Sequence, residues 1–215
     1  MKNQETRYPF GDKETYKQRY TSAAERSKYS IFDMLSKYLP EEGTALEIAS
    51  GLGQHITYFA EKLPRWKFVP TDVDKENLEQ LQQRVALISN IDEPIWLDAT
   101  QEDWSVVEKK APFDLMIAIN CIHVSPKALH LQLFQKSKDL LNPGGFLFIY
   151  AACKVDGQYA NESNKNFDEM LQSTHPEYGL RDVKDLQRLA RENQLECVTV
   201  SEMPASNTAL LFRKQ

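Results

Sequence analysis

Several things are scarce in this chain, and each scarcity excludes something. The three cysteines, Cys121, Cys153 and Cys197, lie far apart with no CxxC pair. That excludes a disulfide framework and a zinc knuckle and fits a reducing, cytoplasmic compartment. The four histidines show no metal-ligand spacing, so no metal site is expected. The longest apolar run, Phe146 to Cys153, is far too short to span a bilayer. The first twenty residues mix charges and aromatics without an apolar core, so no secretory signal is expected. Excess positive charge is missing as well. A net charge of −5 and a pI near 5.5 argue against affinity built on phosphate neutralisation, so neither nucleic acid nor a membrane surface is an expected partner.

What remains is the composition of a globular protein: 215 residues, 41% hydrophobic, 27% charged, mean hydropathy −0.53. That length buries a full core in one domain. Charge is uneven, because residues 1–30 carry seven Lys/Arg against four Asp/Glu, a local +3 that leaves −8 on the rest. Residues 1–21 read as a basic, solvated N-terminal arm and 22–215 as the single domain; an arm that attracts an anionic partner is the other reading.

Within that domain, short apolar runs alternate with helix-period stretches, the mark of an α/β sheet. Helix is expected over Ala23–Leu39, with Ile31, Leu35 and Tyr38 on one face and Pro40 beyond its end. Strands are expected at Ala45–Ile48, at Lys67–Val69 running to Asp72, at Pro94–Leu97 before Asp98, at Phe113–Ile119 and at Phe146–Tyr150. The fourth is nearly all apolar and so expected at the centre. Gly51 and Gly53 open the second helix, Asp74 caps the third, Ser125-Pro126 starts the next, and Asp182 caps the last. Residues 154–179 read as a polar loop. Two terminal strands, Glu196–Val200 and Ala209–Phe212, are separated by so short a joint that they must be antiparallel neighbours. The expectation is a seven-stranded, mostly parallel sheet with a C-terminal antiparallel pair and helices on both faces.

The strongest local signal is ALEIASGLGQH, Ala45 to His55: a strand, an acid, a glycine turn and a helix start. The glycines let backbone approach a ligand. The third glycine of a dinucleotide fingerprint would fall at Ile56, and Glu47 adds negative charge where a pyrophosphate brings its own. An acid beside a glycine turn suits a ligand carrying an ammonium and a sulfonium; a plain turn with a solvated acid is the alternative. Asp72 can take both hydroxyls of a ribose, and Asp98 an adenine amino group, with Ala99 leaving room for the ring. Either acid alone reads equally as a helix cap. Three acids at successive strand ends lie on the edge where open α/β sheets bind ligands.

Motifs of this order and spacing resemble those of class I, Rossmann-like methyltransferases that use S-adenosylmethionine and release S-adenosylhomocysteine (SAH). SAAERSK (Ser22–Lys28), EIASGLGQH, PTDVD (Pro70–Asp74), INCIHVSP (Ile119–Pro126), SNKNFDEML (Ser163–Leu171), HPEYGLRD (His175–Asp182) and MPASN resemble the methyltransferase-like protein 26 group. The resemblance runs from Ser22 to Lys214 and places cofactor contacts at Glu47, Ser50, Gly51, Gly53, Asp72, Asp98, Ala99 and Asn120. The chain departs from that group at Tyr150-Ala151-Ala152-Cys153, where Tyr-Gly-Pro-Phe is expected, and at MPASN in place of MPANN. The first departure falls on the substrate side.

Methyl transfer from a sulfonium is an in-line displacement, so positioning dominates and a base is needed only when the acceptor sheds a proton. His123, just past the fourth strand, is the candidate base; a buried histidine bonded to backbone is the competing reading. His55 is placed at the methionine end of the cofactor, or simply packs; His130 and His175 read as surface or turn residues. Asn161, Asn164, Asn166, Arg181 and Asn207 are candidates to orient a small polar or anionic substrate, Arg181 as a carboxylate grip, although turn chemistry explains the asparagines equally well; Arg26, in the N-terminal helix, is expected to join the substrate pocket as a lid element. Neither a (D/N)PP(Y/F) motif after the fourth strand nor a Pro-Cys pair is present, which argues against nucleic-acid substrates; Cys121 reads as an apolar filler. The expectation is methyl transfer to a small polar molecule. The competing readings are a cofactor-binding but inactive sensor or partner subunit and, disfavoured by Ile56, Glu47 and the terminal pair, a nicotinamide dehydrogenase.

Overall fold

A computed structural model describes residues 12–215, apart from the side chains of residues 13, 16, 17, 19 and 20. Its elements run α1 (Lys13–Leu35), β1 (Gly43–Ile48), α2 (Gln54–Lys62), β2 (Trp66–Asp72), α3 (Lys75–Val85), β3 (Ile95–Trp96), α4 (Ser105–Glu108) and β4 (Phe113–Ile119). Next come α5 (Lys127–Leu140), β5 (Leu141–Ala151), β6 (Cys153–Lys154), α6 (Glu162–Thr174), β7 (Arg181–Asp182), α7 (Val183–Glu192), β8 (Leu195–Met203) and β9 (Asn207–Lys214).

Seven strands form one sheet in the order β3-β2-β1-β4-β5-β9-β8, with β4 in the middle as its apolar sequence requires. β9 alone runs against its neighbours, pairing antiparallel with both β5 and β8. Successive side chains on a strand face opposite sides, and here each side has its own core. Ala45, Phe68, Leu115, Ile117 and Phe148 pack under α1, α2 and α3 with Ile31, Phe59 and Leu81. Leu46, Val69, Met116, Leu147 and Ile149 pack under α5 and α7 with Leu133, Phe134 and Leu186. Burying each of those large side chains stabilises the fold by about 1.5–3 kcal/mol before chain entropy is counted. The sheet is therefore covered on both faces, leaving the strand ends and their loops for chemistry.

Several helix boundaries differ from expectation. α1 starts at Lys13 rather than Ala23, because Asp12 caps it, accepting the Thr15 amide at 2.9 Å, and the chain carries neither Gly nor Pro from Lys13 to Leu39. Residues 12–21 of the expected arm thus begin the helix, and residues 1–11 lie outside the described residues. α1 also stops at Leu35, four residues before the expected end. The segment read as a polar loop contains α6, capped by Asn161 accepting the Asn164 amide at 3.0 Å. Before α5, Pro126 is the cap and Ser125 donates back to the Ile122 carbonyl at 3.2 Å, so the expected Ser-cap is displaced by one residue. α6 is held over the sheet edge by Asp168, fully buried, which accepts from Lys154 at 2.9 Å, the Tyr159 hydroxyl at 2.8 Å and the Leu180 amide at 2.7 Å.

Candidate active site

Strand order reverses between β1 and β4, since the chain leaves β1 toward β2 on one side and β4 toward β5 on the other. Such a switch point opens a crevice at the carboxyl ends of the strands. Two cavities occupy it. One, of about 660 Å³, lies over β1, β2 and β3 and is walled by Gly51, Asp72, Asp98, Ala99, Asn120 and Cys121, among others. The other, of about 820 Å³, lies under α1 and α6, with His123, Tyr150, Asn164, Phe167 and Asn207 in its wall. Asn120 and Val124 line both, so the two meet at the end of β4.

In the first cavity Asp72 organises the turn. Its Oδ2 accepts the Gly51 amide at 2.8 Å, while Oδ1 accepts the Asp74 amide at 2.8 Å and Asn77 Nδ2 at 3.3 Å. A carboxylate has about four acceptor sites, so capacity for a ligand hydroxyl remains. Burial raises the Asp72 carboxyl above its usual range, against the pull of those donors. Asp98 lies two residues beyond the short β3 and accepts from the Thr100 amide at 3.0 Å and Thr100 Oγ1 at 2.6 Å. Ala49 and Asn120, at the ends of β1 and β4, both have φ 55°. For alanine this left-handed conformation is strained, and strain of that kind gathers at functional sites. Cys121 is buried, its thiol pushed up to about 12 by burial, which makes it inert filler in the wall.

Four expected cofactor contacts stand behind that wall rather than in it. Glu47 is 2% exposed; burial first, and the nearby Asp72 charge, lift its carboxyl to about 8, and its Oε2 has no hydrogen-bond partner among the described residues. Ser50 is spent on backbone, its Oγ accepting the Thr71 amide at 3.2 Å. Gly53, at φ 81°, has its α-carbon against Leu81 of α3, so its lack of a side chain serves helix packing. His55 faces α1, with its Nε2 3.2 Å from Ser27 Oγ, and burial holds its imidazole down at about 4. Sequence spacing finds the turn correctly but does not give the direction of these side chains.

In the second cavity His123 sits in a single 3₁₀ turn, Ile122–Val124, and lines the wall with 5% exposure. Its ring stands edge-on to Phe167 at 5.3 Å, and its Nδ1 is unpartnered among the described residues. Burial, with a smaller push from Arg181, lowers its imidazole to about 4, so it is neutral at physiological pH. Arg181 is no carboxylate grip. Its Nε donates to the Ile122 carbonyl at 3.1 Å and its Nη2 to the carbonyls of Ser125 at 2.7 Å and Glu177 at 2.8 Å, which clamps the turn carrying His123. Asn164 and Asn207 do line the cavity; Asn164 also donates to the Ser206 carbonyl at 3.0 Å. Asn161 and Asn166 lie outside its wall, the former bonded to Ser206 Oγ at 2.7 Å. The joint between β8 and β9 carries two successive left-handed residues, Ala205 and Ser206, at φ 58° and 55°. His130, expected on the surface, is 9% exposed within α5, its imidazole lowered to about 4 mainly by burial.

Arg26 lines the second cavity, and it has company that sequence reasoning missed. Thr15, Gln18 and Ser22 precede it on the same side of α1. Spacings of three, four and four residues put all of them on one stripe, a signal legible only once α1 is known to begin at Lys13. Tyr150 and Phe167 were also missed as walls. Among the described residues there is no cluster of three or more side chains able to hold a metal ion, and no helix long and apolar enough to cross a membrane.

This architecture is the class I methyltransferase fold. It is similar to an O-methyltransferase family protein from Burkholderia thailandensis (TM-score 0.74, 14% identity, covering 94% of this chain and 60% of that one). CalO1, a methyltransferase of calicheamicin biosynthesis solved in its SAH-bound form, gives TM-score 0.69 and 14% identity over 94% of this chain and 59% of its own. The CurJ carbon methyltransferase gives TM-score 0.63 and 19% identity over 88% and 53%. The chain thus spans between about half and three fifths of the length of these proteins. A family model described as "Protein of unknown function (DUF938)" matches residues 18–214, and the chain belongs to that family.

Proposed function

We propose that this chain is an S-adenosylmethionine-dependent methyltransferase acting on a small polar molecule in the cytoplasm. The observation that carries the reading is the junction of two cavities at Asn120 and Val124, one suited to the cofactor and the other to an acceptor. The donor set fits the cofactor. Asp72 and Asp98 offer carboxylate acceptors to hydroxyl and amino donors, and Ala99 is small. A pyrophosphate fits poorly, because the Gly51 amide it would use is held by Asp72, and Ile56, where a third glycine would stand, is fully buried core. The motif likeness to the methyltransferase-like protein 26 group supports the same reading, and the free cysteines support the cytoplasm.

When bound, the cofactor supplies a methyl on a cationic sulfonium; the acceptor atom bonds to it as the carbon–sulfur bond breaks, and the bonding pair returns to sulfur. The chain positions the partners and excludes water. His123, neutral and in the wall of the second cavity, takes the proton of a hydroxyl or ammonium acceptor. Phe167 fixes its ring, and Arg181 fixes its turn.

Calorimetric titration with SAH and with NAD tests the cofactor half. Micromolar SAH binding with no NAD response supports it, and silence from SAH would overturn it. A metabolite screen with His123→Asn as comparison tests the rest: turnover should drop on the order of 100-fold with SAH affinity unchanged. Binding without transfer to any acceptor would favour the inactive sensor.

A further inference from the structure

The acceptor cavity carries an unusual charge pattern. Among the described residues, Arg26 is the one charged side chain in its wall; every other polar liner is a hydroxyl, an amide or the neutral His123. The protein as a whole is acidic, with 31 Asp and Glu against 26 Lys and Arg, yet no carboxylate among the described residues lines this cavity. Arg26 has no hydrogen-bond or ion-pair partner among the described residues, and its neighbour Glu25 is taken by Lys28 at 2.5 Å. Arg26 is exposed at the mouth of this cavity of about 820 Å³, where its guanidinium is open to pair with an anion that enters.

The helix beneath it has the same bias. Further along α1, Ile31 and Leu35 are buried in the core, as an amphipathic helix requires. Among the described side chains of its earlier part, Thr15, Gln18, Ser22 and Arg26 lie in the cavity wall, the last three of them exposed. Of these four, the hydroxyls and the amide both donate and accept, whereas Arg26 only donates, so what it can pair with in the cavity is an acceptor.

We propose that the methyl acceptor is a carboxylate-bearing molecule whose carboxylate pairs with Arg26 while its reacting atom lies between His123 and Asn120. The proposal rests on the methyltransferase reading for the reacting end and on the wall of the cavity for the anionic end. A single guanidinium matches a carboxylate two-pronged and charge for charge; a phosphate dianion would need a second cation that the described wall does not hold. Phe167, Tyr150 and Val124 give the body of the molecule an apolar slot between its two ends.

The test is calorimetric binding of matched probes, benzoate against benzamide and 4-hydroxybenzoate against 4-hydroxybenzamide, with phenyl phosphate as the dianion arm. Each is titrated into the protein with and without SAH. At least one carboxylate should bind about tenfold or more tightly than its amide. Arg26→Gln should abolish that preference while amide and SAH affinities stay within about twofold, and Arg26→Lys should restore part of it. Absence of any carboxylate preference, its survival in Arg26→Gln, or stronger binding of phenyl phosphate would each overturn the proposal. Failure of SAH to bind would count against the methyltransferase reading alone, because the anion preference is still read in the protein without SAH.

Discussion

The guanidinium of Arg181 holds the carbonyl of Ser125 at 2.7 Å, joining the start of β7 to the turn that follows β4 across 56 residues of chain. Together with its bond to the Ile122 carbonyl it brackets His123 from both sides. A residue placed by its charge as a substrate contact is thereby a positioning residue for the candidate base. Arg181→Ala removes donors from three carbonyls, and the expected cost is about 2 kcal/mol, or a fall in Tm of about 4–8 °C. The imidazole signals of His123 should broaden in the NMR spectrum while SAH affinity holds. A variant with unchanged Tm and weakened carboxylate binding would return Arg181 to the substrate.

Asp72 joins strand, glycine turn and ligand cleft through one carboxylate. Asp72→Asn keeps the size but loses the charge and half of the acceptor capacity, so the dissociation constant for SAH should rise on the order of 10- to 100-fold. An affinity within twofold of the parent would remove the ribose assignment.

Gly53 separates packing from ligand contact. A methyl group at this position would overlap Leu81 Cδ1 in a backbone conformation that L residues seldom adopt. Gly53→Ala should therefore cost about 2 kcal/mol or more in thermal unfolding, yet bind SAH within about threefold of the parent when measured cold. The reverse pattern, full stability with lost affinity, would put Gly53 back in the cleft.

Stability should depend on pH in two opposed ways. His55, His123 and His130 are held down at about 4 by burial, so the unfolded chain binds more protons than the native one between about pH 4 and the ordinary 6.5. Their contribution is complete above pH 6.5 and is lost as pH falls through 4. Glu47, lifted from 4.5 to about 8, acts oppositely: its contribution is complete below pH 4.5 and is lost as pH rises through 8. Denaturation midpoints should climb from pH 4 to 6.5 and sag toward pH 8. In Glu47→Gln the sag should disappear while the acid limb stays; an unchanged alkaline limb would show that Glu47 is ionised in the native protein.

The sheet was legible in the sequence because its signals are repeated and local. The apolar run Phe113–Ile119 marks the central strand, and Asp72, Asp98 and Asn120 mark strand ends that do meet in one crevice. What was hidden falls into two kinds. The first ten residues of α1 carry no aliphatic period, and α6 sets its apolar Phe167, Met170 and Leu171 among Asn164, Asp168 and other polar residues, so neither stands out as the apolar stripe by which a helix is read. Arg181, His55 and Gly53 are in the right segments, but whether a side chain turns toward a cavity or a neighbouring helix depends on packing that no spacing encodes.

The shared wall at Asn120 and Val124 has a consequence for how such a protein changes over time. Between β1 and β3 the chain contributes only to the first cavity, whereas α1, the tip of β5, α6 and the β8–β9 joint contribute only to the second. Inheritance can rewrite the second set without disturbing the first. On the proposed reading a change of acceptor falls on α1, the tip of β5, α6 and the β8–β9 joint, and the seam at the end of β4 is where both halves must agree.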